Sequence, residues 1–235
     1  MNASKITKYG FFPLLAALSL AAQGAVVPVS TQSGLGANDS IDWGQLGASP
    51  YTPVPSGSPV VSQLGYNATV SNGTGVPLQR QNDGDPWGGN FAYGEHLLYN
   101  GGMYGGGAII ITFASGVYGA GAHIEGDTYG PFTGTVSAYD ANGDVLGTYT
   151  FNGVSTSAGD NSAVFAGFLD SSPDIRSISF TANGTIFGNL PSDFALGTLY
   201  TTAVPEPSTL VGGLLAVAFV LGTGPAKRIL GRRVV

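Results

Sequence analysis

Glycine interrupts the apolar runs of this chain so often that long amphipathic helices are excluded from its central part. Thirty-eight of the 235 residues are glycine, against an average usage of roughly 7%. No long stretch of residues 26–203 repeats apolar side chains with helical spacing. The glycines follow no period of three, which excludes a collagen-like triple helix. Since 43% of the residues are hydrophobic, the chain can form a core, which disfavours extensive disorder.

Short apolar segments separated by glycine and asparagine turns predict an all-β fold. The clearest hairpin is TVSAYDANGDVLGTYTF, in which Asn142 and Gly143 can both take the positive φ of a tight turn. No helical segment separates the strands, which disfavours a parallel α/β sheet. We therefore predict a single antiparallel β-sandwich domain. Nine strands are predicted, at residues 60–63, 66–71, 108–113, 117–124, 132–139, 145–151, 163–169, 175–181 and 198–202.

The charged residues are sorted along the chain, with most of the basic ones near its two ends. The whole chain has a formal net charge of −6. Residues 26–204 contain 13 acidic residues and two arginines, which leaves −11 for the central part. A body this acidic repels phosphate backbones, so we predict no nucleic-acid partner. The basic ends lie beside apolar segments, which is the arrangement of membrane-targeting signals.

Residues 1–25 predict a secretory signal peptide. Lys5 and Lys8 form a positive region, and the apolar segment FFPLLAALSLAA follows at residues 11–22. Small residues up to Ala25 then provide a site for signal peptidase. We expect this N-terminal helix to direct export and to be removed afterwards. The alternative is a short buried helix.

Residues 204–235 predict a membrane-spanning tail. Apolar and small residues fill a helix of about 209–226, which would be roughly 27 Å long. The positive-inside rule places the basic end of this tail in the cytoplasm and the acidic body outside. The alternative is a buried core helix, which the Pro-Glu-Pro break before the segment disfavours. The basic end contains Lys227, Arg228, Arg232 and Arg233.

The order of motif, apolar helix and basic end resembles the PEP-CTERM sorting signal of exported bacterial proteins. The motif consists of Val204, Pro205, Glu206, Pro207, Ser208 and Thr209. Its two prolines favour an extended backbone, which suits a protease groove. The resemblance implies cleavage by an exosortase, a membrane protease-transpeptidase, after transient anchoring in the inner membrane. It also implies delivery to the cell surface or extracellular matrix of a bacterium that makes exopolysaccharide or biofilm.

The central part resembles a globular region that recurs in exported proteins with this tail. For residues 26–203 the resemblance implies a jelly-roll or galactose-binding-like sandwich, and it assigns no activity. The matching segments span most of residues 38–202. They include DWGQLG at 42–47, PWGGNF at 86–91, GEHLL at 94–98, IITF at 110–113, FAGF at 165–168 and IRSISF at 175–180.

Few residues could carry catalytic chemistry. The chain has no cysteine, which removes thiolate metal sites, disulfides and thiol nucleophiles. It also has no Gly-x-Ser-x-Gly, phosphate-loop or dinucleotide-binding motif. We therefore predict no catalytic residue. A secreted hydrolase with two carboxylates paired in space is the remaining enzymatic alternative.

The sequence offers two candidate metal sites, but our main prediction is that the chain binds no metal. His96 and His123 lie near Glu95 and Glu125, and the two pairs form a site only if the fold brings them together. The segment DANGDVLGTYTF does not match an EF-hand, because valine and phenylalanine occupy its sixth and twelfth positions. Calcium binding is instead an alternative for the loop at residues 82–85, NDGD. We predict no other cofactor.

Aromatic side chains in loops rich in glycine and asparagine are candidate sugar contacts, because sugar rings stack on exposed aromatic faces. We predict glycan contacts within PWGGNFAYG and LLYNGGMYGGG, at Trp87, Tyr93, Tyr99 and Tyr104. For Trp43 and Trp87 the alternative is burial in the core. The wider set of aromatic candidates is Trp43, Trp87, Tyr93, Tyr99, Tyr104, Tyr118 and Tyr129.

Together these observations predict a non-enzymatic exported protein of the cell surface or extracellular matrix. Its partners during export are signal peptidase and exosortase, and its C-terminal helix attaches it to the membrane before cleavage. The main alternative is a carbohydrate-binding module for the polysaccharide of the producing cell. A secreted hydrolase is the third hypothesis.

Overall fold

The computed structural model describes residues 26–47, 51–101, 106–184 and 190–203, and two antiparallel β-sheets form more than half of these residues. The elements in chain order are β1 (Val27–Val29), α1 (Gln32–Leu35), β2 (Asp39–Ile41), the 3₁₀ turn η1 (Trp43–Leu46), β3 (Thr52–Val54), β4 (Ser58–Val61), β5 (Asn67–Asn72), β6 (Leu78–Asn82), β7 (His96–Tyr99), β8 (Ile109–Val117), β9 (Gly119–Gly126), β10 (Gly130–Tyr139), β11 (Val145–Ser155), β12 (Val164–Leu169), β13 (Ile175–Gly184), β14 (Leu190–Pro191) and β15 (Phe194–Thr202).

The two sheets stack as a sandwich. The first sheet has the strand order β1-β12-β9-β15-β7-β6-β3, and β2 pairs with β15. The second sheet has the order β11-β10-β13-β8-β5-β4, and β14 pairs with β13. Every pairing between these strands is antiparallel. The predicted all-β sandwich is confirmed, while its assignment to the jelly-roll or galactose-binding-like group stays a prediction.

The main core lies between the sheets and is built from alternate positions of each strand. On β13, Ile178, Phe180 and Ala182 are buried, whereas Thr181 between two of them is exposed. This alternation follows from the period of two along a strand. Trp43 is fully buried and donates its indole N–H to the carbonyl oxygen of Gly197 at 2.7 Å. The core alternative for Trp43 is therefore confirmed.

The predicted hairpin is present as β10 and β11. Its tip is closed by a hydrogen bond from the backbone N–H of Asp140 to the carbonyl oxygen of Asp144, at 3.0 Å. The Asp140 carboxylate accepts from the backbone N–H groups of Asn142 and Asp144, at 2.8 and 2.9 Å. Gly143 has a φ of 85°, which glycine adopts without the steric penalty of a Cβ atom. The acidic residues at positions 140–144 therefore form the turn of the hairpin.

All nine predicted strands overlap observed strands, but the sequence pattern missed several short or polar ones. The six missed strands are β1, β2, β3, β6, β7 and β14. Three of these, β1, β3 and β14, contain proline, which weighs against a strand in any sequence pattern. Strand β6 reads LQRQN and has only one apolar residue, although Arg80 at its centre is buried. Polar strands of this kind carry no alternating apolar signal.

The predicted signal helix at residues 1–25 and the predicted sorting tail at residues 204–235 lie outside the described residues. Within the described ranges, no helix is both long enough and apolar enough to cross a membrane.

Gly167 of β12 lies where the first sheet has no room for a side chain. A Cβ atom there would be 2.4 Å from the Ala120 oxygen and 2.7 Å from the Gly121 Cα atom, both backbone. Because backbone cannot move aside as a flexible side chain can, we expect Gly167→Ala to lower the free energy of unfolding by about 1–3 kcal/mol. Denaturant unfolding measures this change.

Gly126 of β9 provides the matched control. A Cβ atom at this position would meet the Ser155 Oγ and the Phe132 Cβ atoms at 3.4 and 3.5 Å, which are ordinary contacts. We expect Gly126→Ala to change the unfolding free energy by less than about 0.5 kcal/mol. Equal losses at Gly167 and Gly126 would contradict the close-packing explanation.

Candidate functional site

A cavity of about 490 Å³ opens on the outer face of the first sheet, above β6 and β7. Leu78 and Leu98 point into the core between the sheets. Their neighbours along the two strands therefore point to the outer face, because side chains alternate in a strand. The residues lining the cavity are Tyr51, Gln79, Gln81, Pro86, Trp87, Gly88, Tyr99, Asp127 and Tyr129.

The loop between β6 and β7 folds over the sheet and forms one wall of the cavity. A small apolar cluster fixes it there, separate from the main core, and the rings of Trp87 and Tyr99 meet edge to face at 5.3 Å. Trp87 is only 6% exposed, which confirms burial for this tryptophan. The cluster consists of Trp87, Phe91, Leu97, Tyr99, Ala163 and Ala195.

Two tyrosines form the rim of the cavity and leave much of their rings in solvent. Tyr51 is 59% exposed and Tyr129 is 51% exposed. The Tyr129 hydroxyl donates to the carbonyl oxygen of Gly88 at 2.8 Å, which orients the ring beside the loop. Tyr51 has a φ of 64°, a left-handed conformation that costs a non-glycine residue roughly 1–2 kcal/mol. Strain of this kind is concentrated at ligand-binding and catalytic sites.

Polar groups occupy the interior of the cavity. The Gln81 side-chain amide donates to the Gln79 oxygen at 3.3 Å, and the Tyr99 hydroxyl donates to Oδ2 of Asp127 at 3.1 Å. Burial raises the pKa of Tyr99, and the charges of Asp127 and Asp193 raise it further, so the phenol stays protonated. Burial also raises the pKa of Asp127.

A buried carboxylate behind the cavity anchors the loop to β9. Glu125 is 1% exposed, and its Oε2 accepts from the backbone N–H of Asn90 at 2.6 Å. Its Oε1 accepts from the backbone N–H of Thr156 at 3.2 Å, and the Asn90 side chain accepts from the same N–H at 2.6 Å. Burial raises the pKa of Glu125 to about 7, although the N–H of Asn90 acts in the opposite direction.

Asp83 is a second buried carboxylate at the start of the same loop. Its Oδ1 accepts from the backbone N–H of Gly89 at 3.2 Å. Burial raises the pKa of Asp83 to about 6, and the negative charge of Glu95 adds to the effect. The segment suggested by the sequence as a calcium site, residues 82–85, therefore precedes the cavity-lining residues 86–88 in the same loop, and one of its carboxylates is buried.

The two histidine–glutamate pairs do not form a common site. His96 Nδ1 lies 2.6 Å from Oδ1 of Asp42. The His123 ring packs instead against Phe165 and Tyr200, at centroid distances of 5.3 and 6.3 Å, and burial lowers its pKa. In the part of the chain that the structure describes, no three histidine, aspartate or glutamate side chains lie close enough to bind one metal ion.

The structure brings together some of the predicted sugar contacts and separates others. Trp87 and Tyr99 both line the cavity. Tyr93 is 83% exposed but lies against Gly84 and is not part of the lining, and Tyr104 is outside the described residues. Tyr129 belonged only to the wider aromatic set. The sequence analysis missed four lining residues, Tyr51, Gln79, Gln81 and Asp127. The sequence contains a signal only for the two glutamines, whose spacing of two residues places them on one face of a strand.

Comparison with known proteins gives only distant structural likenesses. No protein-family model matches the chain, and no curated protein matches it in sequence. A DUF4465 family protein from Bacteroides caccae shows 13% identity and a TM-score of 0.38, with 69% of this chain and 98% of that chain covered. The enzymatically active domain of bacteriophage CBA120 tailspike protein 4 shows 12% identity and a TM-score of 0.31, with 69% and 20% covered. A D114A mutant of the carbohydrate-binding module CBM29-2 shows 17% identity and a TM-score of 0.23, with 63% and 97% covered. Scores this low assign no activity to this chain.

The buried carboxylates predict that stability falls as the pH rises. A folded-state pKa of about 7 for Glu125, above its ordinary 4.5, means that the folded chain binds a proton more tightly than the unfolded chain. This contribution is complete below pH 4.5 and is lost as the pH rises through about 7. We expect the free energy of unfolding to fall between about pH 5 and about pH 8, by at most about 1.4 kcal/mol per pH unit for one proton.

Glu125→Gln tests the origin of this slope, because an amide does not titrate. We expect the slope to be smaller in this variant. The remainder comes from Asp83 and Asp127, whose raised pKa values act in the same direction, less the opposite contribution of His123, whose pKa burial lowers. Asp174→Asn, at an exposed carboxylate, is the control and should leave the slope unchanged. Parallel pH profiles for wild type and Glu125→Gln would refute the assignment.

Proposed function

We propose that this chain is an exported, non-enzymatic protein of the cell surface or extracellular matrix whose β-sandwich binds carbohydrate in the cavity above β6 and β7. The observation that carries the binding proposal is the pair of half-exposed tyrosines, Tyr51 and Tyr129, at the rim of a cavity with a polar interior. The export part rests on the sequence of the two chain ends.

The chemistry of the cavity fits a sugar ring. Sugars present apolar C–H faces that stack on aromatic rings, together with hydroxyl groups that both donate and accept hydrogen bonds. Tyr51 and Tyr129 supply exposed ring faces, and each fixes only two side-chain torsions when it binds. Gln79 and Gln81 supply amide donors and acceptors, and Asp127 supplies a carboxylate acceptor.

The charge distribution favours a neutral glycan over an anionic one. Arg80 and Arg176 are the only basic residues in the acidic body of the chain. Arg80 is buried on the core side of β6, and Arg176 donates to the carbonyl oxygens of Phe113 and Ala114 at 3.3 and 2.8 Å. Neither arginine lines the cavity, where Asp127 is the charged residue. A polymer rich in sulfate or uronic acid would therefore be repelled.

The arrangement of carboxylates supports binding over hydrolysis. Glycoside hydrolysis needs two carboxyl groups on either side of the scissile bond. Asp127 and Asp193 both accept from the Tyr99 hydroxyl, at 3.1 and 3.5 Å, and Asp193 also accepts from the backbone N–H of Gly106 at 2.8 Å. Only Asp127 of the two lines the cavity.

Removing the rim tyrosines tests the binding proposal. We expect Tyr51→Ala and Tyr129→Ala each to weaken binding to a neutral polysaccharide by about tenfold, because about 1.4 kcal/mol of stacking is lost. Affinity electrophoresis in gels containing a soluble β-glucan or a galactomannan gives the dissociation constants. A glycan array first identifies which of the neutral polymers binds.

Tyr93→Ala is the matched control, since Tyr93 is the most exposed of these tyrosines and lies outside the cavity. Its affinity should equal that of wild type, and dextran sulfate should not bind. Equal losses for all three tyrosine variants, or no binding to any neutral polymer, would reject the cavity as a sugar site. Release of reducing sugar from a bound polymer would reject the non-enzymatic proposal.

The sorting proposal is tested in the producing cell. Replacing Pro205, Glu206 and Pro207 with alanine should leave uncleaved protein in the inner membrane, because the exosortase motif is gone while the apolar helix remains. Immunoblots of membrane and medium fractions measure this, with Ala203→Ser outside the motif as the control. Normal release of the triple-alanine variant would show that another signal sorts the protein.

A further inference from the structure

Among the described residues, four strands end the two main strand orders, and three of these are protected against pairing with another strand. Strands β1 and β3 end the first sheet, and β4 ends one side of the second. Each has only three or four residues and contains a proline, at Pro28, Pro53 and Pro59. Proline lacks the N–H that a further strand would need, and short edges offer few hydrogen bonds.

The fourth edge, β11, has none of these protections. It is eleven residues long and reads VLGTYTFNGVS, with neither a proline nor a charged residue. Among the described strands it pairs only with β10. Thr148, Thr150, Asn152 and Val154 are exposed along it. An uncharged edge of this length can accept another strand, because its outward backbone groups have no partner in the sheet.

The exposed face of β11 is regular over most of its length. Pairing with β10 continues without a bulge from Gly147 to Ser155, and the one register shift lies beyond Gly147. Hydrogen bonds between side chains cross the two strands from Thr148 to Ser137 at 3.0 Å, and from Thr150 to Thr135 at 3.3 Å. Strand β11 is therefore regularly paired over nine residues, as a template for pairing must be.

We propose that β11 is a self-association edge, at which two copies of this chain pair their β11 strands antiparallel about a twofold axis near Thr150. The pairing joins the second sheets of two molecules into one continuous sheet. Thr150 then lies opposite Thr150 of the other copy, and Thr148 lies opposite Asn152. These cross-strand pairs extend the row of hydroxyl and amide groups already present between β10 and β11.

Charge explains why this edge suits a second copy. The body of the chain carries a net charge of −11, so two copies repel each other over most of their surfaces. Strand β11 contains no charged residue, and Asp140 and Asp144 lie at the hairpin tip beyond one end of it. Salt screens the remaining repulsion, so association should strengthen as the ionic strength rises.

A charge exchange at Thr150 tests the pairing. Sedimentation equilibrium of the purified protein should show a monomer–dimer equilibrium. Thr150→Lys and Thr150→Glu should each weaken the dimer at least about tenfold, because like charges then face each other across the axis. An equimolar mixture of the two variants should restore the dimer, which also shows that both variants fold. Val61→Lys, at an exposed position of the proline-containing edge β4, is the matched control and should dimerise as wild type does.

The absence of cysteine gives a second, independent test of the geometry. Single cysteines at Thr148, Thr150 and Asn152 would each be the only thiol in the chain. Under mild oxidation, Thr150→Cys should form the disulfide-linked dimer fastest, because only residues near the axis bring their own copies within disulfide distance. A wild-type chain that stays monomeric at high concentration, or Val61→Cys linking as fast as Thr150→Cys, would overturn the proposal.

Discussion

The buried carboxylate of Glu125 connects three parts of the chain that build the cavity. It projects from β9 and accepts from the backbone of Asn90 in the loop between β6 and β7, and from the backbone of Thr156 after β11. The loop positions Trp87 and Gly88, and Gly88 in turn accepts from the rim residue Tyr129. A buried acceptor that loses its donors costs about 1–3 kcal/mol. The wall and rim of the cavity therefore depend on one side chain that lies beneath them.

Local sequence was sufficient for most of the sandwich, because glycine and asparagine mark its turns. The hairpin of β10 and β11 follows from Asn142 and Gly143 alone, and its neighbour β13 shows plain alternation. Strands β6 and β7 were not predicted, although they form the floor of the cavity. Their pairing depends on partners far along the chain, such as Arg80 opposite Thr52 and Leu98, and no local pattern reports such contacts.

The candidate site was predictable only where its residues are close together in sequence. Trp87 and Tyr99 lie within the aromatic, glycine-rich segment on which the prediction was based. Tyr51 reaches the cavity because β3 pairs with β6, and Asp127 reaches it because β9 lies two strands from β7. Glu125 was noted beside His123 as a metal-ligand alternative. Period two places both side chains on one face, but only the folded loop shows that Glu125 binds backbone N–H groups instead.

The position of β11 relative to the cavity determines how the two cavities of a dimer would be arranged. Strand β11 packs over the β1, β12 and β9 side of the first sheet, whereas the cavity lies above β6 and β7 near the opposite side. Two chains joined through β11 would therefore carry two cavities at opposite ends of one particle, both open to solvent. If the cavities bind carbohydrate as proposed, such a particle would bridge separate polysaccharide strands, and the effective concentration at the second cavity would favour attachment to long polymers over short ones. Strand β11 lacks the proline that β1, β3 and β4 contain. In that case this one difference would turn a chain with one binding site into a dimer with two sites that cross-links polysaccharide.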